Sequence, residues 1–187
     1  MPTLQIIIAS TRPGRVGLPV ARWFAERARA HGGFEIDVAD LAEINLPFLD
    51  EPEHPRLQRY QHEHTKRWSA RVAAADAFAL VMPEYNYGIN APLKNALDFL
   101  NVEWAHKPVA FVSYGGVSAG TRAVQMAKQV VGALQMHAIG PAVSIPFVAQ
   151  FLDESRVLQP NETMEQAAAQ VLDELVRFES ALRALRG

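Results

Sequence analysis

The chain of 187 residues has 49% apolar and 20% charged side chains, the make-up of a soluble globular fold with a sizeable core. Its formal net charge of −2, from 18 basic against 20 acidic groups, leaves no basic footprint for nucleic acid or an anionic membrane. The absence of cysteine excludes disulfides, thiolate catalysis and thiolate-held metals.

The first predicted strand is the apolar run 4–9, which breaks at once into Ser10-Thr11-Arg12-Pro13-Gly14-Arg15-Val16-Gly17. That turn offers two hydroxyls, two guanidiniums and a run of backbone N–H groups, and a helix N-terminus behind it adds partial positive charge. It suits a compact phosphate monoester dianion, which Arg12 can grip with two parallel N–H bonds. It lacks the glycine pattern of dinucleotide-binding turns and the Gly-Lys-Ser/Thr of nucleoside triphosphatases. Taken alone, the turn fits a plain strand-to-helix connection with solvated arginines about as well.

Val20, Trp23, Phe24 and Arg27 space the first helix, with Pro19 in its first turn and Gly32-Gly33 as its stop. Residues 34–38 alternate apolar and polar, as an exposed edge strand does. Three prolines in 44–56 make that segment a loop. Residues 57–75 are predicted as the second helix and 77–82 as the third strand. Residues 92–100 follow as the third helix, with Asn90 as its N-cap. The fourth strand is 109–114, the fourth helix 120–135, the fifth strand 142–148 and the last helix 162–185. No apolar run spans a bilayer and no basic leader opens the chain, so a cytoplasmic location is expected.

Strand and helix alternating five times predict an α/β fold. The expected form is a doubly wound, five-stranded parallel sheet in the flavodoxin-like order 2-1-3-4-5, with helices on both faces and one domain over 1–187. Ligands of such sheets sit beyond the carboxyl ends of the strands, where the strand order reverses. The loops there carry the unusual residues. After the third strand, Pro83-Glu84-Tyr85-Asn86-Tyr87 sets two aromatics around an amide, suited to a planar ring. After the fourth, Ser113-Tyr114-Gly115-Gly116 and Gly120 leave bare backbone N–H groups for a ligand. A phosphate cradle at one end and a flat, aromatic-walled slot at the other fit FMN.

These strings, with Leu93-Lys94-Asn95-Ala96-Leu97-Asp98, resemble the NAD(P)H-dependent FMN reductase family of quinone, azo-dye and chromate reductases. The resemblance covers roughly residues 3 to 150. It implies non-covalent FMN, whose phosphate would meet Ser10, Thr11, Arg12 and the backbone of Arg15, Val16 and Gly17. Pro83, Glu84, Tyr85, Asn86 and Tyr87 would border the ring on one side, and Ser113, Tyr114, Gly115 and Gly116 on the other. Ala9 and Arg15 depart from the family pattern, in which many relatives carry Gly and Ser. The implied activity is ping-pong hydride transfer from NADPH or NADH to FMN and on to a small acceptor: a quinone, azo compound, metal oxyanion or free flavin. Arg12 or Arg15 is also a candidate contact for the phosphates of the nicotinamide donor. A homodimer or homotetramer is implied, and the catalytic chemistry belongs to FMN rather than to a side chain.

The alternative is an FMN-binding electron carrier without NAD(P)H turnover, but such carriers tend to be strongly acidic. A receiver domain lacks its acidic pocket here, and a serine hydrolase lacks its Gly-x-Ser-x-Gly elbow. His54, His62 and His64 are expected to be solvated rather than metal-bound, since His62 and His64 at i, i+2 share no helix face.

Overall fold

The computed structural model of the protein describes residues 1–186. Strands β1 (Thr3–Ile8), β2 (Glu35–Asp40), β3 (Ala77–Pro83) and β4 (Pro108–Tyr114) pair in parallel in the order β2-β1-β3-β4, with a fifth position beside β4. Residues 4, 6 and 8 of β1 face one side, under helices α1 (Gly17–His31) and α6 (Glu162–Leu182). Residues 7 and 9 face the other, under α3 (Glu63–Ala73), α4 (Ala91–Asp98) and α5 (Thr121–Ala133). This two-residue alternation is what a strand buried on both faces must show. The helix α6 closes the first face with Val171, Leu172 and Leu175, each at most 1% exposed. Burying each such side chain stabilises the fold by about 1.5–3 kcal/mol.

The expected strand order holds, with two local corrections. The fifth position is filled in two pieces, β5 (His137–Ala138) beside the start of β4 and β6 (Val143–Ile145) beside its end. Gly140-Pro141 divides them, because proline has no N–H for the ladder. The second helix begins at Glu63, not at residue 57. Pro55–Leu57 form one 3-10 turn, and Gln58 then adopts φ 52°. The Glu51 carboxylate accepts from the N–H groups of Gln61 (2.7 Å) and His62 (3.0 Å), which fixes the start of α3 there.

One short helix escaped the periodicity. Leu41–Ile44 forms α2 directly after β2, with the Asp40 side chain accepting from the Ala42 N–H at 3.0 Å. The last helix ends at Leu182 and passes into a 3-10 turn, Arg183–Leu185. The parallel registers bring Ile8, Asp40, Pro83 and Tyr114 to one edge of the sheet, where the β1 and β3 loops part to opposite sides.

Candidate functional site

The turn after β1 is held open by its own side chains. Arg15 donates to Asp40 Oδ1 at 2.7 Å and to the Ser10 carbonyl at 2.7 Å, and pairs closely with Asp40 Oδ2. Its N–H donates to the Arg12 carbonyl at 3.1 Å. The Arg15 guanidinium is therefore a clasp between the turn and the end of β2, not a free anion ligand. The other arginine, Arg12, stands exposed on the cavity side. Helix α1 begins at Gly17 with no side-chain cap and no acidic residue in its first turn. The N–H groups of Val16, Gly17 and Leu18 have no backbone acceptor among the described residues. An uncapped helix start with an arginine beside it is a ready anion site.

The loop after β3 folds into a tight turn. Tyr85 and Gly88 exchange backbone hydrogen bonds of 3.1 and 2.9 Å, with Asn86 and Tyr87 between them at φ 49° and 68°. Two positive φ values in succession define a mirror-image turn, which Asn tolerates well. Tyr85 and Tyr87 stand out at 42% and 67% exposure. Glu84 lines the cavity edge, and its carboxylate accepts from Arg122 Nε at 2.6 Å and from the Arg122 N–H at 3.1 Å. Arg122 in turn covers the Tyr87 ring at 3.7 Å. Burial pushes the Glu84 carboxyl up, but bonding from Arg122 and Ser118 outweighs it and holds the pKa below the ordinary value. This clasp fixes the aromatic loop on α5. Asn90, the expected cap of α4, sits at the cap position but donates instead to the Ala9 carbonyl at 2.7 Å.

The loop after β4 is fastened from below. Ser113 is fully buried and donates to the Ala119 carbonyl at 2.8 Å, so its hydroxyl does not face the cavity. The Gly115 N–H goes to the Ile145 carbonyl, while the Gly116 N–H has no backbone acceptor among the described residues. Gly120 needs its left-handed conformation, φ 81°, and a Cβ there would stand 2.9 Å from Ser113 Cβ.

These loops converge on Tyr114. Its ring is 2% exposed, and its hydroxyl is buried beside Ser10, with no hydrogen bond of normal geometry among the described residues. Burial raises its pKa above the ordinary value, so it remains a neutral donor. A Cβ on Gly17 would collide with that hydroxyl, which is why glycine opens α1. A buried phenol without a partner costs about 1–3 kcal/mol, so an oxygen-rich ligand at this point is favoured.

The cavity at this convergence measures about 150 Å³. Ser10, Arg12, Arg15 and Val16 line it from the first turn, Pro83, Glu84 and Tyr85 from the second loop, and Tyr114 and Gly115 from the third. Asn86, Tyr87 and Gly116 are exposed beyond its lip, Ser113 lies beneath it, and Thr11 faces two neighbouring depressions. The volume suits a phosphate and its ester chain. A fused ring would lie outside, between the exposed tyrosine loop and the glycine loop. The residues present therefore fit FMN, on the evidence of the unpaired phenol and the uncapped helix. Sequence reasoning missed Asp40, Arg122 and Val148. Asp40 and Arg122 act through contacts distant in sequence, and Val148 enters from the turn after β6.

A family model described as NADPH-dependent FMN reductase matches residues 2–150. An NAD(P)H-dependent FMN reductase of Schizosaccharomyces pombe is 40% identical over 149 residues, 78% of this chain and 74% of that protein. An NAD(P)H:quinone oxidoreductase of Solanum tuberosum is 33% identical, covering 75% of this chain and 73% of its own. Among solved structures, the flavoenzyme NAD(P)H:(acceptor) oxidoreductase FerB of Paracoccus denitrificans shares the fold with a TM-score of 0.76. It does so at 19% identity, over 97% of this chain and 98% of that one. The three loops of the site all lie within the matched residues, and the chain belongs to the NADPH-dependent FMN reductase family.

Proposed function

We propose that the chain, an FMN-dependent NAD(P)H oxidoreductase by family, works in ping-pong fashion on a small acceptor: a quinone, azo compound, metal oxyanion or free flavin. The observation that carries this reading is the meeting of an uncapped helix start, an exposed Arg12 and an unpaired Tyr114 hydroxyl in one cavity. FMN, when bound, supplies the hydride chemistry that the side chains here do not. Arg12, the Ser10 hydroxyl and the Val16 and Gly17 N–H groups hold its phosphate, and Thr11 flanks them. Tyr114 donates to an oxygen of the same ligand. The backbone from Pro83 to Tyr87 borders the ring, and the Gly116 N–H meets it from the other side. Tyr85 and Tyr87 form the rim over which donor and acceptor alternate.

The near-neutral net charge of −2 and the reductase relatives favour this over an electron carrier. We take the 187 residues as one domain, assembled as a homodimer or homotetramer. Exposed Phe48, at 84%, and its half-exposed neighbour Leu49 support such a contact. No helix of the described residues is long and apolar enough to cross a membrane. A donor as charged as NAD(P)H supports a cytoplasmic location.

Initial rates with NADPH and a quinone varied together should give parallel double-reciprocal lines; intersecting lines would rule out the ping-pong order. Arg12→Ala removes up to two charge-assisted hydrogen bonds of about 1.5–3 kcal/mol each and should weaken FMN at least about tenfold in equilibrium dialysis. Wild-type retention of FMN by Arg12→Ala would remove Arg12 from the phosphate site.

A further inference from the structure

The phosphate turn is also fastened from beyond the family-matched span of residues 2–150. Residues 151–159 fold back as a small hairpin whose tip reaches it. Leu152 and Leu158 bridge at the base of the hairpin, and Leu158 is buried in the core that α1 and α6 share. Asp153 joins the two arms. Its N–H donates to the Val157 carbonyl at 3.0 Å, and its carboxylate accepts from the Val157 N–H at 2.9 Å and from Gln159 Nε2 at 2.8 Å. The Arg156 N–H closes the tip on the Asp153 carbonyl at 2.9 Å.

At that tip Arg156 has φ 60°, a left-handed backbone that costs an L side chain energy and that glycine adopts freely. The chain nonetheless carries a long cation there. Its guanidinium donates to the Gly14 carbonyl at 2.7 Å, a contact between residues 142 apart in sequence. Gly14 lines both the small phosphate cavity and a larger groove beside α1, so it is a wall between them. Arg156 lines the groove and not the small cavity, and it therefore holds the Gly14 carbonyl from the groove side.

The polarity of the turn depends on this bond. A carbonyl oxygen is the negative end of a peptide dipole and repels a phosphate dianion beside it. Arg15 engages the Ser10 carbonyl at 2.7 Å, and Arg156 engages the Gly14 carbonyl in the same way. With both carbonyls bound to guanidiniums, the free N–H groups of Val16, Gly17 and Leu18 are left to meet the anion. We propose that Arg156 is a positioning residue for the FMN phosphate, acting through Gly14. The hairpin 151–159 thereby governs how tightly the cofactor is kept. This rests on the flavin-site reading above.

The test compares FMN with riboflavin, which has the same ring and ribityl chain but no phosphate. Fluorescence titration of each against flavin-free protein is done in the wild type, Arg156→Gly and Arg156→Lys, beside thermal denaturation of the flavin-free proteins. Arg156→Gly should weaken FMN about fivefold and leave riboflavin affinity unchanged. Its Tm should stay close to that of the wild type, because relief of the left-handed backbone offsets the lost bond. Arg156→Lys keeps a charged donor and should recover part of the FMN affinity. Unchanged FMN affinity in Arg156→Gly, or an equal loss of FMN and riboflavin, would overturn the assignment and leave Arg156 a surface tether. Either failure leaves the flavin-site reading intact. That reading fails by a different result, in which the wild type binds FMN no more tightly than riboflavin.

Discussion

Arg15→Ala, measured without FMN, should lower the stability of the protein by about 3 kcal/mol, since breaking a buried ion pair strands the remaining charge. The Arg15 and Asp40 side chains are 14% and 7% exposed, so solvent cannot replace the lost partner fully. Asp40 would keep only its bond from the Ala42 N–H. For a chain of this size, the loss corresponds to a fall in Tm of roughly 6–12 °C. The double variant Arg15→Ala/Asp40→Asn should recover part of it, because Asn keeps the α2 cap and carries no charge. Thermal denaturation of the FMN-free variants reads both effects. If Arg15→Ala melts like wild type and only FMN affinity falls, Arg15 is a ligand and the clasp is a misreading.

Gly17→Ala should disable FMN binding and destabilise the fold together. The added Cβ meets the Tyr114 hydroxyl, with the ring carbon behind it at 3.3 Å and Ser10 Cβ at 3.5 Å. Tyr114 is almost fully buried and has little room to retreat. Overpacking of this kind costs about 1–3 kcal/mol. The loss of FMN affinity should be at least about tenfold, because both the helix start and the phenol are displaced. Removing the hydroxyl with Tyr114→Phe in the same chain should restore stability, and this coupling separates the steric effect from a general one. Additive effects in the double variant would mean that Gly17 and Tyr114 do not meet. Calorimetric FMN binding beside chemical denaturation distinguishes the outcomes.

The parts of the fold set by local pattern were legible in the sequence. The apolar runs of β1, β3 and β4 and the spacing of α1 and α6 carry their own periodicity, and the alternation of strand and helix points to the order that the sheet has. What was not legible depends on contacts between distant residues. Residues 58–62 look as helical as those after them, and only the Glu51 carboxylate moves the helix start to Glu63. His137–Ala138 is too short and too exposed to read as a strand, yet it completes the sheet edge beside Pro108 and Val109.

The site divides in the same way. Its three loops announce themselves by composition, because glycine, hydroxyl and aromatic clusters at strand ends are unusual. The jobs of individual side chains do not. Arg15 looks like an anion ligand until Asp40 is seen 25 residues later beside it. Glu84 looks like a free carboxylate until Arg122 is seen to hold it 38 residues on. Ser113 looks like a lining hydroxyl, and the fold instead uses it beneath the glycine loop. Tyr114 gains its importance from a partner it lacks, which no sequence pattern records.

The fold is that of an FMN reductase driven by a nicotinamide donor. The most direct test is the visible spectrum of the protein reconstituted with FMN and freed of excess, recorded anaerobically before and after adding NADPH and then NADH. Flavin absorbance that stays with the protein and bleaches on adding the donor is the predicted result. Absorbance that stays and does not bleach with either donor would contradict the reductase and leave an electron carrier, and absorbance that does not stay would contradict the flavin site itself.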